Sequence, residues 1–461
     1  MQTSRLEKLM GIEVFATNSQ GIGGAIKRDA EDFIVEEILV DGSKANAKNP
    51  SETEKESPLG AKSAHTSYLL CVLAKRNWDT FIAIKNIASS LGVAPSKIQI
   101  AGIKDAKALT AQFITIEDIS PDDVSKICLK DVKIHPLGYV RNKLSSYYLL
   151  SNNFTITING IRHAKSMVQR QIEETVAEFK AIGGVPNFFG HQRFGTIRPI
   201  THLVGKYLVK GEFRKAVMLF LAKPSRNEHP ESRKARQKLG STQNFEKALE
   251  EFPKQLHYER VMLRHLAQKQ NDFIGAFQKL PVKLQLLFLQ AYQSYLFNRF
   301  LSARIKNGLP LNDVEIGDHV VRIERSGLPS PTLQTQVSSE TLSDIRRRVQ
   351  EGKMKLALPL IGFRQKTSKG FQGEIEQQIL DDEGICPENF RIKKIPEISS
   401  KGRLRLATVP LGNFSLKKIL NDSADPRKKR AEISFALPRG AYATIVLREI
   451  MKTRNPVKAG F

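Results

Sequence analysis

Cysteine is scarce in this chain. Three stand in 461 residues, Cys71, Cys128 and Cys386, far apart and in no C-x-x-C pair. That spacing supports neither a disulfide framework nor a zinc ribbon. The nine histidines are scattered, with no H-E-x-x-H among them, so no metal is expected. Long apolar runs are missing as well, and the opening residues MQTSRLEKLMGIEVFATNSQ lack the apolar centre of a signal peptide. A cytoplasmic protein with no membrane partner is therefore expected. Acidic residues are the last deficit: 47 Asp and Glu face 72 Lys and Arg, a net charge of +25 and a pI near 9.9. Such a balance points to a polyanionic partner, nucleic acid before membrane.

The length exceeds one ordinary core, so two domains or one domain with a large insertion is expected. Within it, residues 101–112, AGIKDAKALTAQ, carry one lone acid, Asp105, among small and basic neighbours. Lys97-Ile98-Gln99-Ile100-Ala101 before it and Phe113-Ile114-Thr115-Ile116 after it alternate as strands do, which puts Asp105 on the connection between them. Gly102 permits close backbone approach, and Lys104 and Lys107 place positive charge on either side, which favours an ionised carboxylate able to act as nucleophile or base. Local chemistry alone is better served by an aspartate that orders its own turn.

Upstream, Gly21-Ile22-Gly23-Gly24 reads as a flexible turn without function, since no strand enters it and no helix leaves it. Residues 33–38 alternate as a strand behind a charged lead-in containing Lys27. Residues 41–62, DGSKANAKNPSETEKESPLGAK, hold too little apolar surface to be ordered and read as a mobile loop before a strand at 68–73. Residues 79–91 have helical spacing, with Asn77 as candidate cap and Gly92 as stop; a second helix is expected over 166–181. The order strand, strand, helix, strand, loop, strand suggests an α+β sheet with helices on one face.

Residues 185–195, VPNFFGHQRFG, gather three phenylalanines, two glycines and Arg193. The set suits RNA: an aromatic face can stack on an extruded base or fill its gap, and Arg193 can reach a phosphate. A core turn filled by phenylalanines explains it as well. Residues 281–308 read as a long helix started by Pro and stopped by Gly, with Leu284, Leu287, Phe288, Ala291, Tyr295 and Phe300 on one buried face. A strand at 404–410 is expected to rejoin the first domain. Near the end, Leu437-Pro438-Arg439-Gly440 leads into a helix whose first backbone N–H groups suit an anion. The basic runs at Arg346-Arg347-Arg348 and Lys393-Lys394 fit a solvated face or an RNA patch equally.

These motifs, taken together and in order, resemble the TruD family of tRNA pseudouridine synthases. The string GIKDAKALTAQ fills every fixed position of the family's G-x-K-D-x-x-A-x-T-x-Q, and NFFGHQRFG fills N-[YF]-F-G-x-Q-R-F-G. Lys27 followed by Asp32, Phe33, Val35 and Glu37 matches the opening element; Ser294, Phe297 and Asn298 match S-x-x-F-N; and Phe435 to Glu449 matches the closing F-x-L-P-x-G-x-[YF]-A-T-x-x-L-R-E. The resemblance implies an α+β pseudouridine-synthase fold, a mixed, largely antiparallel sheet flanked by helices. The catalytic domain is then discontinuous, 1–212 and 401–461, around an inserted domain at 213–400. It implies isomerisation of a tRNA uridine, usually U13, by Asp105, with Lys27 close to the carboxylate. Phe33, Lys104, Asn187, Phe189 and Arg193 are implied at the substrate site. Gln192 and Phe194 shape the loop, and His191 has no proton-transfer role. No cofactor is implied, and a monomer is expected. Two other classes compete: an RNA-binding protein that has lost catalysis, against which the intact Asp105, Lys27 and Asn187 argue, and a metal-dependent nuclease, which needs clustered carboxylates that Asp105 lacks in its motif.

Overall fold

The computed structural model describes residues 2–53 and 68–461. Its centre is an eight-stranded mixed sheet in the order Gly412–Asn421, Lys429–Pro438, Leu149–Ile161, Phe33–Leu39, Leu109–Glu117, Tyr68–Arg76, Val132–Val140, with Ile98–Ile100 also pairing to Leu109–Glu117. All pairings are antiparallel except that of Phe33–Leu39 with Leu109–Glu117, where Ile34 stands opposite Leu109. Both strands of that parallel pair are buried on their two faces, so polar side chains such as Glu37 and Gln112 are carried into the interior. Residues 101–108 leave the end of Ile98–Ile100 and return into Leu109–Glu117, so Asp105 lies on the connection between those strands.

The helix Thr80–Ser90 is capped by Asp79, whose carboxylate accepts from Phe81 N and Ile82 N. Asn77, the expected cap, instead has φ +55 and donates its N–H to Ala108 O. The helix Lys165–Ala181 buries Val168, Ile172 and Phe179 along one stripe. The glycine turn at 21–24 is pinned rather than loose. Ile22 N and Gly23 N donate to Ile450 O and Met451 O, and Gly24, at φ +88, lies so close to Asn159 O that a Cβ would meet it at 2.8 Å. Residues 41–53 of the segment expected to be mobile are likewise packed. Ala45 and Ala47 are buried beside Ile34 and Leu39, with Ala45 N donating to Glu37 O and Ala47 N to Glu36 Oε1. Small side chains were enough to fill that space; residues 54–62 of the segment lie outside the described residues.

The long helix is Val282–Lys306, with Pro281 at its start and Asn307-Gly308 at its end. It is buried on most of its circumference, not on one face, because it runs between the helix Thr201–Val209 and the strand Met354–Leu360. Leu287, expected inside, is exposed, while Gln293, Ser294 and Asn298 are inside. These polar side chains are satisfied: Gln293 Nε2 donates to Ile361 O, Ser294 Oγ to Gln290 O, and Asn298 Nδ2 to Met10 O.

A second, four-stranded antiparallel sheet has the order Arg403–Leu406, Met354–Leu360, His319–Ile323, Pro329–Gln336. The strand expected over 404–410 is therefore divided. Arg403–Leu406 belongs to this second sheet, and Thr408–Val409 pairs with Val185–Pro186 near the first. Ala407 is the junction: its N–H donates to Leu356 O while its carbonyl accepts from Asn187 N. This junction brings the second sheet to the NFFG loop.

Candidate active site

Asp105 Oδ1 accepts from Lys27 Nζ at 3.1 Å and from Gln192 Nε2 at 2.6 Å. Among the described residues no donor meets Oδ2. The Asp105 side chain keeps 21 % of its surface open, against 8 % for Lys27. Lys27 adopts φ +57, a left-handed backbone uncommon for a residue with a Cβ, and its ammonium stands 4.2 Å from the centre of the Phe33 ring. The implied grouping of Lys27, Phe33 and Asp105 is thus physically compact. Beneath it, Lys75 Nζ donates to the main-chain oxygens of Asp105 at 2.8 Å and Trp78 at 2.7 Å.

Lys104 does not share this cluster. Its ammonium turns to Glu37 Oε1 at 2.5 Å in a sealed pair, and Glu37 Oε2 accepts from Phe113 N at 2.8 Å. Burial raises the Glu37 pKa above the usual carboxylate range, against the opposing pull of Lys104 and the Phe113 N–H. The Lys104 main chain is tied to Thr80 Oγ1 at both N and O. Lys104 therefore fixes the loop that carries Asp105. Lys107 is exposed.

The facing wall comes from the NFFGHQRFG loop. Phe189 N donates to Asn298 Oδ1 at 2.8 Å and Phe189 O accepts from Asn298 Nδ2 at 3.1 Å, so one amide of the long helix clamps this peptide. Arg193 Nε donates to Ser294 Oγ and its Nη2 to Gln290 Oε1, on the same helix. The Phe189 ring is edge-on to Phe297 and Tyr442, with centroids at 5.7 and 6.1 Å. Asn187 is fully engaged: Nδ2 donates to Leu406 O, and Oδ1 accepts from Arg405 Nη2 at 2.5 Å. His191 is buried against Phe461, with neither ring nitrogen hydrogen-bonded, and burial lowers its pKa to about 4. Among the described residues neither nitrogen has a partner to pass a proton to or take one from.

Arg405 was not foreseen from the sequence. Its guanidinium lies 4.0 Å from the Phe189 centroid, donates to both oxygens of Asn187, and reaches Gly440 O at 3.1 Å. Burial holds its pKa below the ordinary arginine value. It joins the NFFG loop, the second sheet and the Leu-Pro-Arg-Gly turn. The closing Arg448 and Glu449 are structural: Arg448 Nε donates to Glu7 and its Nη1 to Glu449, and Glu449 Oε2 accepts from Ala16 N and Thr17 N. Among the described residues no three His, Cys, Asp or Glu side chains gather as metal ligands would, and no helix is long and apolar enough to cross a membrane.

The mixed, largely antiparallel sheet flanked by helices defines the fold class, and on it the Asp105–Lys27 pair meets Gln192 of the aromatic and arginine-bearing loop. The crystal structure of the Methanosarcina mazei protein described as "Putative tRNA pseudouridine synthase D (TruD)" superposes with a TM-score of 0.82 at 37% identity, covering 98% of this chain and 99% of that one. A Methanosarcina barkeri protein described as probable tRNA pseudouridine synthase D is 39% identical over 452 residues, 98% of each chain. A Thermococcus onnurineus protein of the same description is 35% identical over 438 residues, 95% of this chain and 97% of its own. The family model for tRNA pseudouridine synthase D (TruD) matches residues 9–450. The chain belongs to the TruD family of tRNA pseudouridine synthases, which are isomerases.

Proposed function

We propose that this protein converts a uridine of tRNA to pseudouridine, with U13 as the target and Asp105 as the catalytic residue. The observation that carries the reading is the Asp105 carboxylate itself, held on one oxygen by Lys27 and Gln192, with no donor on the other among the described residues and a fifth of its side-chain surface exposed. The N1–C1′ bond breaks, the base turns, and C5 bonds to C1′ while the C5 proton leaves and N1 gains one, so atoms balance without redox or hydrolysis. Asp105 serves either by attacking carbon or by taking a sugar proton. Lys27 and Gln192 orient it. Phe189, Asn187 and Arg193 form the wall toward which the extruded base is turned, and the inserted segment 213–400 supports that wall through Arg193's partners Gln290 and Ser294 and through Asn298. Affinity for tRNA comes from the +25 charge.

The test is tritium release from tRNA labelled at uridine C5, with RNA length and mass followed alongside. Release with no change in mass, lost when U13 is replaced by cytidine, is the expected result. Shortened RNA would mean a nuclease, a heavier product a methyltransferase, and no release across a range of tRNAs an RNA-binding protein. Release that persists without U13 would overturn the choice of target alone.

A further inference from the structure

Lys75 ends the inward-facing run of the strand Tyr68–Arg76, where its backbone pairs with Thr110 on one side and Val132 on the other. It is almost wholly buried, and among the described residues no carboxylate pairs with it. Among the described residues its ammonium is held by two carbonyls alone, Trp78 O and Asp105 O. A cation in such a place is costly to desolvate, and a neutral donor would satisfy two carbonyls as well. What the charge adds is a positive field directly under residue 105. The acids that act on it are Asp105 and Asp79, and the cation that opposes it is Lys104. Lys27 lies across the same carboxylate.

We infer that Lys75 is a positioning residue for the isomerisation: it fixes the Asp105 peptide by its carbonyl and, in its charged form, supports the carboxylate above. This rests on the reading of Asp105 as the catalyst. Burial lowers the Lys75 pKa to about 8, with Asp105 and Asp79 pulling the other way. The charge is thus complete well below that pH and is lost as pH rises through it, so the single-turnover rate carries an alkaline step there.

The experiment compares wild type, Lys75→Met and Lys75→Arg in single-turnover tritium release across the alkaline range, with tRNA affinity and thermal unfolding measured on each. Lys75→Met is expected to slow the chemical step about 10- to 100-fold, as for a displaced reacting group, to leave tRNA affinity close to wild type, and to lack the alkaline step. Lys75→Arg, which keeps a charge that does not titrate in this range, is expected to regain most of the rate and also to lack the step. A wild-type rate in Lys75→Met, or the same alkaline step in either variant, overturns the inference. Should Lys75→Met fail to fold, the Lys75→Arg profile decides alone. Asp105→Asn run in parallel separates the two levels: turnover by that variant removes the catalytic reading, whereas an inactive Asp105→Asn beside wild-type behaviour at position 75 removes only the role of Lys75.

Discussion

Residues 104 and 105 are chain neighbours, and each forms an ion pair with the stretch that leads into or forms the strand Phe33–Leu39. Lys104 meets Glu37 at 2.5 Å and Asp105 meets Lys27 at 3.1 Å. The Lys104 and Glu37 side chains retain 4 % and 0 % of their surface, those of Asp105 and Lys27 21 % and 8 %. In the sealed pair both carboxylate oxygens are used, one by the ammonium and one by Phe113 N. In the open pair one oxygen holds two donors and the other, among the described residues, none. The same two side-chain chemistries, a few ångströms of chain apart, thus differ in what remains available. A carboxylate with both oxygens occupied and no access can only hold structure; one with an oxygen free of donors and a fifth of its side-chain surface exposed can react.

The difference predicts opposite phenotypes. Asp105→Asn should show the largest effect on chemistry, a loss of roughly 10³-fold or more in single-turnover rate, while thermal unfolding moves little, since a partly open pair is worth about 0–1 kcal/mol. Unfolding temperature and tritium release measured on one preparation check both halves. Lys104→Met should do the reverse. It leaves a buried, unpaired Glu37 and is expected to lower stability by about 3–5 kcal/mol, whereas the double variant Glu37→Met with Lys104→Met regains most of it. Denaturant unfolding of the single and double variants decides; if Asp105→Asn is as destabilised as Lys104→Met, the two pairs are not different in kind.

The parts of this site that were legible in the sequence are those whose signal is local. The alternation over residues 97–101 and 113–116 marked two strands, and the lone acid between them marked the connection. What periodicity cannot see is a partner far along the chain. Gln192 reaches Asp105 across 87 residues, and Arg405 reaches Asn187 across 218. Gln192 stood out only as part of its loop, and Arg405 not at all, since it is one of two arginines alternating with leucines in an ordinary strand. Lys104 misled for a related reason: charge beside Asp105 in sequence became charge turned toward Glu37 in space. The divided strand at 403–409 was invisible too, because Ala407 changes partners between two sheets without any break in the apolar pattern. The packing of Ala45 and Ala47 was missed because composition counts large apolar residues, and the space there is filled by small ones.

The smallest effect is expected where structure and chemistry overlap, at Phe189. Its ring is almost fully buried, edge-on to Phe297 and covered on one side by Arg405 at 4.0 Å, so truncation to alanine would confound a lost cavity filler with a lost stacking face. Phe189→Leu keeps most of the volume, at a stability change expected below about 1.5 kcal/mol, and removes only the ring. If the ring stacks on the displaced base, about 1 kcal/mol or slightly more of that interaction is lost, which slows single-turnover release about fivefold or more. Affinity for tRNA should scarcely change, because it is spread over many phosphate contacts whose strength falls with salt. Measuring rate and salt-dependent affinity together separates the possibilities. A slower chemical step at unchanged affinity places the ring against the base, and an unchanged rate assigns Phe189 to the wall, beside Lys104 as a residue that holds the site without touching the reaction.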